Sequence, residues 1–213
     1  MTKSKISLTA AQLRALALIL MFIDHAGRTL FPGQLWMVCL GRLAFPIFAF
    51  QTAEGYRHTR DFRRYCLRLA IFALISEIPF DLMAFGTIFH PGHQNAMLTL
   101  LLGLIACRVF DRNKGLGLIP VFLAAALLRP DYGIPGVALV LLFHVFRKNQ
   151  AAQLLFLVLI NCLGYRLGSV QSLAALAWIP ISLYRGDKGR GGKALQYGSY
   201  IFYPLHMLIL GLL

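Results

Sequence analysis

An all-α bundle of about nine membrane-spanning helices is the fold class that this sequence predicts. Three observations predict it. Hydrophobic residues make up 58% of the 213-residue chain and charged residues only 14%, against about 45–50% and about 25% in soluble domains. The mean hydropathy is +0.68, so a soluble fold of this length would lack the polar side chains to cover its surface. The apolar residues are gathered into long runs, such as 13–23 and 96–105, as in segments that lie in lipid. Residues 1–213 read as a single integral membrane domain, because no other stretch is long enough to fold beside the membrane part.

A spanning helix takes about 20 apolar residues. Candidates fall at 8–27, 33–53, 66–88, 96–110, 117–128, 134–146, 151–165, 169–184 and 198–213. The first has polar residues inside it and no small-x-small exit, so it reads as a retained span and not as a cleavable signal. The second carries Arg42, and the third carries Glu77, Pro79 and Asp81. Three of the middle runs are short, so their ends borrow from the loops or some are re-entrant. The last holds Tyr200, Tyr203, Pro204 and His206.

Nine spans with a cytoplasmic N-terminus put sixteen of the 21 Lys and Arg residues on the inner side. Arg28, Arg129 and Arg166 fall outside, and Arg14 and Arg42 lie within spans. This asymmetry follows the positive-inside rule. It accounts for most of the net charge of +13 and the pI near 10.1. No nucleic-acid partner is therefore expected, although a basic chain could in principle bind one. Cys39, Cys66, Cys107 and Cys162 lie in or at the ends of apolar runs without paired spacing, and read as small buried hydrophobes. His90 and His93 lack further ligands nearby, so no metal is expected. No internal repeat of the kind that builds two-fold transporters is visible.

Ionisable residues inside spans cost roughly 2.5–3.5 kcal/mol each at the bilayer centre, so each needs a reason. Arg14 and His25 are eleven residues apart. At about 100° and 1.5 Å per residue they share one helix face, separated by about 16 Å along it. That face presents a cation near the cytoplasm and a titratable base further out, where snorkelling and an interfacial hydrogen bond are the ordinary alternatives. Asp24 projects about 100° from His25, and is better placed to pair with Arg28 or with an arginine of another helix. Arg42 lies too deep to snorkel and calls for a carboxylate, among Asp24, Glu77 and Asp81, or for an anionic ligand. Glu77 and Asp81 share a face and repel unless a cation or a shared proton lies between them. The basic loop from Glu54 through Arg57, His58, Arg60, Arg63, Arg64 and Arg68 sets topology and contacts acidic lipid, or forms a cytoplasmic mouth for a polyanion. Tyr200, Tyr203 and His206 bring polar groups into the last span.

These residues carry a resemblance. Residues 15–27 around Ile23, Asp24 and His25 are similar to the TraX family of bacterial membrane proteins. So are the run from Gly41 through Arg42 to Pro46, the run from Ala53 to Tyr56, and residues 68–81, ending in Ile78, Pro79, Phe80 and Asp81. The likeness continues over 95–103 and ends at Phe202, Tyr203, Pro204, Leu205 and His206; between about 115 and 195 only hydropathy matches. The family is named for the protein that acetylates the N-terminus of conjugative F-pilin. The spacing of Arg14 and His25 is also similar to the first helix of larger membrane acyltransferases that acetylate surface sugars.

The resemblance implies a multi-pass acetyltransferase of the bacterial inner membrane, with acetyl-CoA as donor substrate. The donor phosphates would dock on Arg14, Arg57, Arg60 and Arg64. His25 would act as general base or carry the acetyl group. Arg42 would stabilise an oxyanion or orient Asp24. Glu54, Glu77, Asp81, Asn95, Tyr203 and His206 would line the cavity. The acceptor would be a pilin-like peptide amine, with glycans and lipids also open, and membrane lipid would surround the bundle. A proton-coupled transporter, or a structural component of a conjugation or secretion apparatus, is the alternative that intramembrane Asp, Glu, His and Arg also allow.

Overall fold

The structure, a computed structural model, describes residues 7–113, 115–163, 168–190 and 192–213. Arg166, with Lys3, Lys5 and Lys114, lies outside the described residues. Among those described, the chain is helical with no strand. Its elements are α1 (Ala10–Thr29), α2 (Leu35–Gly41), α3 (Ala44–His58), α4 (Phe62–Phe85), α5 (Ala96–Asn113), α6 (Leu118–Leu128), α7 (Gly133–Val145) and α8 (Gln150–Leu163). A 3-10 segment (Val170–Ala177) follows, then α9 (Trp178–Ser182) and α10 (Gly192–Leu212).

Local chemistry sets the helix ends. Thr9 caps α1 in a reciprocal capping box with Gln12. Asp61 accepts the Arg64 N–H at the start of α4, which Gly86 ends in the left-handed conformation, φ 67°. Asn95 Oδ1 accepts the Met97 N–H at 3.0 Å and caps α5. The first amides of α1 are also covered from far along the chain: Ala10 N–H donates to Asp187 O at 2.8 Å, and Ala11 N–H to Lys188 O at 3.1 Å.

The nine apolar runs of the sequence correspond in order to helical rods, with two departures. The run 33–53 is not one rod: α2 and α3 meet at a turn formed by Arg42 and Leu43. The run 169–184 is a 3-10 segment leading into the five-residue α9. Two stretches among the described residues are long and apolar enough to cross a membrane, Ala10–Thr29 and Leu35–His58, the latter being α2 and α3 together.

The core lies between α1, α3, α4, α5, α7 and α10, where Leu13, Ile47, Leu69, Leu104, Val140 and Met207 are fully buried. A smaller cluster, including Ala106, Val121, Ala125 and Val137, joins α6 to α5 and α7. Gly103 lets α5 approach α7, since a Cβ there would stand 2.6 Å from Val140 Cβ. The outward faces are apolar too. Leu67, Leu74, Ile75 and Ile78 on α4, Ile119 and Leu127 on α6, and Ile201 and Ile209 on α10 are all exposed.

The loops sort by side as the charge pattern predicts. Arg57, Arg108 and Arg147 line one cleft, and Arg14, Arg60, Arg68 and Lys188 line another that shares Thr59 and Arg60 with it. At the other end of α1, the 86–95 loop meets the α6–α7 turn. There Gln94 N–H donates to Arg129 O at 3.1 Å, and His93 Nε2 lies 3.2 Å from Asp131.

Candidate functional site

A cavity of about 100 Å³ lies inside the bundle. Its lining includes Arg14, Leu18, Met21 and His25 of α1, with Asp24 beside them. The helix face drawn from the spacing of Arg14 and His25 therefore opens on one space. Phe45 and Phe48 of α3, Tyr65 and Leu69 of α4, Met97 and Leu100 of α5, and Tyr200 and Tyr203 of α10 complete most of the wall. Asp131 and Tyr132 close its outer end. The Tyr132 ring is stacked on Phe45 with centroids 3.5 Å apart.

His25 is held by a residue 181 positions away. Its Nδ1 lies 2.7 Å from His206 Nε2, and His206 Nδ1 lies 2.7 Å from the Phe202 carbonyl oxygen. The two imidazole planes are 3° apart with centroids 5.0 Å apart. Nearly parallel planes with such a short N···N distance describe rings joined edge to edge, with the lone pair of one aimed along the N–H of the other. A carbonyl oxygen only accepts, so His206 Nδ1 carries a hydrogen. With His206 neutral, its Nε2 accepts from His25 Nδ1–H, and the lone pair of His25 falls on its own Nε2. This chain assigns His25 a tautomer, as a second hydrogen bond commonly does for a working histidine.

Asp24 anchors a second network. Its Oδ2 accepts from Arg28 Nε at 3.1 Å and pairs with Arg42. Arg42 also donates to Gln171 Oε1 at 3.3 Å, and Gln171 to Asn161 Oδ1 at 3.1 Å. Asn161 donates in turn to Leu157 O at 2.9 Å. The network ties α1 to the α2–α3 turn, the 3-10 segment and α8. Gly41 permits it, because a Cβ at that position would overlap the Asp24 side chain. Arg42 itself is not in the cavity wall. Of its two expected roles the geometry supports the orienting of Asp24, and an oxyanion role has no direct line to the cavity.

Glu77, Asp81 and Asn95 were expected in the cavity, but none lines it. Asn95 is fully buried, bonds Glu77 through both its side-chain and its main-chain amide, and donates to Ala73 O at 2.8 Å. Tyr203, which does line the cavity, accepts the Ala96 N–H at 3.2 Å. Asp81 accepts the His90 N–H at 2.6 Å. These residues pin the start of α5 to α4 and α10, so the two carboxylates are held by amide donors and not by a shared cation. His206 stands behind His25, outside the wall. In the 86–95 loop, the hydrogen bond that His93 Nε2–H donates to Asp131 raises the His93 pKa above its ordinary value against a smaller opposing effect of burial, and the charges of Asp131, Glu77 and Asp81 raise it further.

The cavity continues toward the basic end. Arg14, Gln51, Tyr65 and Tyr200 belong both to its wall and to an outer cleft of about 520 Å³, which Glu54, His58, Arg60, Arg68 and Lys188 also line. Arg14 Nε donates to Gln51 Oε1 at 3.5 Å, and Gln51 donates to Ala10 O at 2.8 Å. The Arg68 guanidinium lies 5.2 Å from the centre of the Tyr65 ring and 5.6 Å from that of Tyr200, and its Nε is buried without a hydrogen-bond partner. Of the four arginines expected to hold the donor, Arg14 and Arg60 are in this mouth. Arg57 faces the neighbouring cleft and pairs with Glu54 at 2.8 Å. Arg64 is turned to solvent and held by Asp61 at 3.0 Å.

Sequence reasoning did not single out Asp131, Tyr132, Gln171 or Asn161. Asp131 was hidden in a short outer loop. Gln171 and Asn161 lie in the region where only hydropathy was informative, and a polar amide within an apolar run was the available signal.

Comparison with known proteins finds relatives over nearly the whole chain. The sequence model of the TraX protein family matches residues 9–213. The chain is 29% identical, over 96% of its length and 95% of the relative's, to the probable fimbrial assembly protein FimC, serogroup H1, of Dichelobacter nodosus. It is 27% identical to Protein TraX of Escherichia coli strain K12, over 94% of this chain and 85% of that protein. No solved structure matches. The match across nearly the whole length places this chain in the TraX family.

Proposed function

We propose that this protein is a multi-pass acetyltransferase of the bacterial inner membrane, taking its acyl group from acetyl-CoA on the cytoplasmic side. The observation that carries the reading is a cavity lined by His25, itself hydrogen-bonded to His206, that shares four wall residues with a basic mouth. The membrane assignment is supported by the apolar outward faces of α4, α6 and α10, by the two stretches of spanning length, and by the gathering of basic loops at one end.

The mouth fits a phosphate-bearing thioester donor. Arg60, Lys188 and Arg14 offer cations there, and the buried, unpartnered Nε–H of Arg68 offers a donor that lacks an acceptor. The separation of about 16 Å between Arg14 and His25 along α1 is of the order of an extended pantetheine arm. Bound there, acetyl-CoA supplies an activated acyl carbon. His25 Nε2 takes the proton of the acceptor N–H or O–H as its N or O bonds to that carbon. The C–S bond then breaks and the CoA sulfur leaves as the thiol, with the proton returned by His25 Nε2–H, while His206 shares the transient imidazolium charge through the Nδ1–Nε2 hydrogen bond. Tyr65, Tyr200 and Phe48 narrow the passage and exclude water. Asp24, neutralised by Arg28 and Arg42, fixes the helix that carries His25 and is not itself a base.

On the acceptor side, the name of the Dichelobacter relative, a probable fimbrial assembly protein, supports a pilus-subunit amine presented at the outer end near Asp131. The same name supports a second reading, in which the chain is a structural member of the assembly apparatus. Binding and hydrolysis of radiolabelled acetyl-CoA by the purified protein separate the two. Binding that is lost in Arg14→Ala, with slow turnover that is lost in His25→Ala, is expected for the enzyme. Unchanged behaviour of both variants, or no donor binding at millimolar concentration, would leave the structural role.

A further inference from the structure

Beside the mouth lies a second cleft, of about 690 Å³, between the C-terminal ends of α3, α5 and α7 and the start of α4. It shares Thr59 and Arg60 with the mouth, but no residue with the cavity. Its wall carries Arg57, Arg60, Arg63, Arg108, Arg112 and Arg147. Among the described residues, only Arg57 of these six has an acidic side chain within ion-pair distance. The two aspartates of the wall are otherwise engaged. Asp61 holds Arg64, and Asp111 accepts from Tyr56 Oη at 2.8 Å and from His144 Nε2 at 2.9 Å.

Five guanidinium groups without a carboxylate partner surround one concavity. Asp111 offsets one of the five charges; helix C-termini carry roughly −0.5 each and the N-terminus of α4 roughly +0.5, so the helix ends offset about one more. The surplus of about three positive charges is left to solvent or to a ligand. The second observation is at the floor. His144 is 4% exposed and lines the cleft; with its Nε2–H donated to Asp111, its buried Nδ1 is an acceptor with no hydrogen-bond partner, suited to a hydroxyl beside the phosphate. The aromatic wall is ordered as well, with the Arg108 guanidinium 5.4 Å from the centre of the Phe62 ring and Tyr56 edge-on to both Phe62 and His144.

We infer that this cleft is a binding site for a phosphate-bearing anion, held by Arg63, Arg108, Arg112 and Arg147 over His144. It does not depend on the acetyl-transfer reading, because the cleft does not open on the His25 cavity. At the cytoplasmic end the same phosphate chemistry is available from an anionic phospholipid headgroup and from a soluble nucleotide.

The test uses the full-length purified protein and a variant carrying Arg112→Gln and Arg147→Gln, neither of which touches the cavity or the mouth. One arm measures retention of phosphatidylglycerol in nanodiscs of mixed phosphatidylglycerol and phosphatidylcholine by native mass spectrometry. The other titrates adenosine 3′,5′-bisphosphate by calorimetry. Each arginine removed should weaken the preferred probe by about 10-fold or more, as expected for a lost charge-assisted hydrogen bond. Loss in the first arm alone assigns a lipid site, and loss in the second alone a nucleotide site. Equal binding of both probes to wild type and variant overturns the inference. Phenylglyoxal footprinting of the wild type gives an answer that does not require the variant to fold. Arg112 and Arg147 should be shielded by the bound probe, and their full reactivity in its presence also overturns the inference.

Discussion

The Asp24 network sets up a sharp test, because its two arginines differ in burial. The Asp24 side chain is 7% exposed; that of Arg42 is 14% exposed and that of Arg28 48%. Removing one partner of a buried pair leaves an uncompensated charge, at a cost of about 3–5 kcal/mol. An exposed i,i+4 pair contributes about 0.3–0.5 kcal/mol. Arg42→Gln should therefore destabilise the fold by about 3–5 kcal/mol, and Arg28→Gln by under about 1 kcal/mol. The Asp24→Asn variant should resemble Arg42→Gln, and the Asp24→Asn/Arg42→Gln double variant should recover part of the loss, giving a strong coupling in the cycle. The assay is reversible unfolding in mixed micelles, followed by tryptophan emission and helicity. An Asp24–Arg28 coupling as large as that of Asp24–Arg42, or additivity of Asp24→Asn with Arg42→Gln, would refute the assignment of Arg42 as the main partner.

Three further outcomes are expected. His206→Ala should insert and bind donor like the wild type yet transfer about 10²-fold more slowly, whereas unchanged turnover would separate His206 from the chemistry. Asn95→Leu removes the side-chain amide that bonds the half-buried Glu77 and leaves the start of α5 uncapped, so it should lower the melting temperature more than the exposed Leu74→Ala change; an equal shift would show that the knot at Asn95 is not structural. For His93, the hydrogen bond to Asp131 raises the folded pKa above the ordinary 6.5, so the pair stabilises most below that value and its contribution is lost as pH rises through the raised one. The side chains are 38% and 42% exposed, so the effect is small, and a stability profile between pH 5.5 and 8.5 that is identical in wild type and His93→Gln would refute it.

Local patterns were legible in the sequence. The apolar runs located the rods, and their ends were off by only a few residues, as at α1, read at 8–27 and found at 10–29. The i,i+4 spacing found Asp24 with Arg28, and an eleven-residue spacing placed Arg14 and His25 on one cavity, because helix geometry alone fixes both. The turn at Arg42 was not legible. A single arginine in an apolar run carries no break signal, and the close approach of Gly41 to Asp24 that accompanies the turn is a contact between remote parts of the chain. Nor was the pairing of His25 with His206, since contacts between remote helices leave no period in the sequence. For Glu77 and Asp81 the spacing put two carboxylates on one helix and called for a cation or a shared proton between them; the amide donors that the 90–95 loop brings to each of them were not legible.

The join between α1 and the end of the chain has a consequence for biosynthesis. α1 is made well before α10, yet its Ala10 and Ala11 amides are closed by Asp187 and Lys188, and its histidine acquires its partner only when α10 arrives with His206. Contacts separated by so much of the chain form late, after the entropy of closing that loop has been overcome. A nascent or truncated polypeptide would thus carry His25 without its fixed tautomer. The His25–His206 bond therefore closes only once α10 has packed against α1.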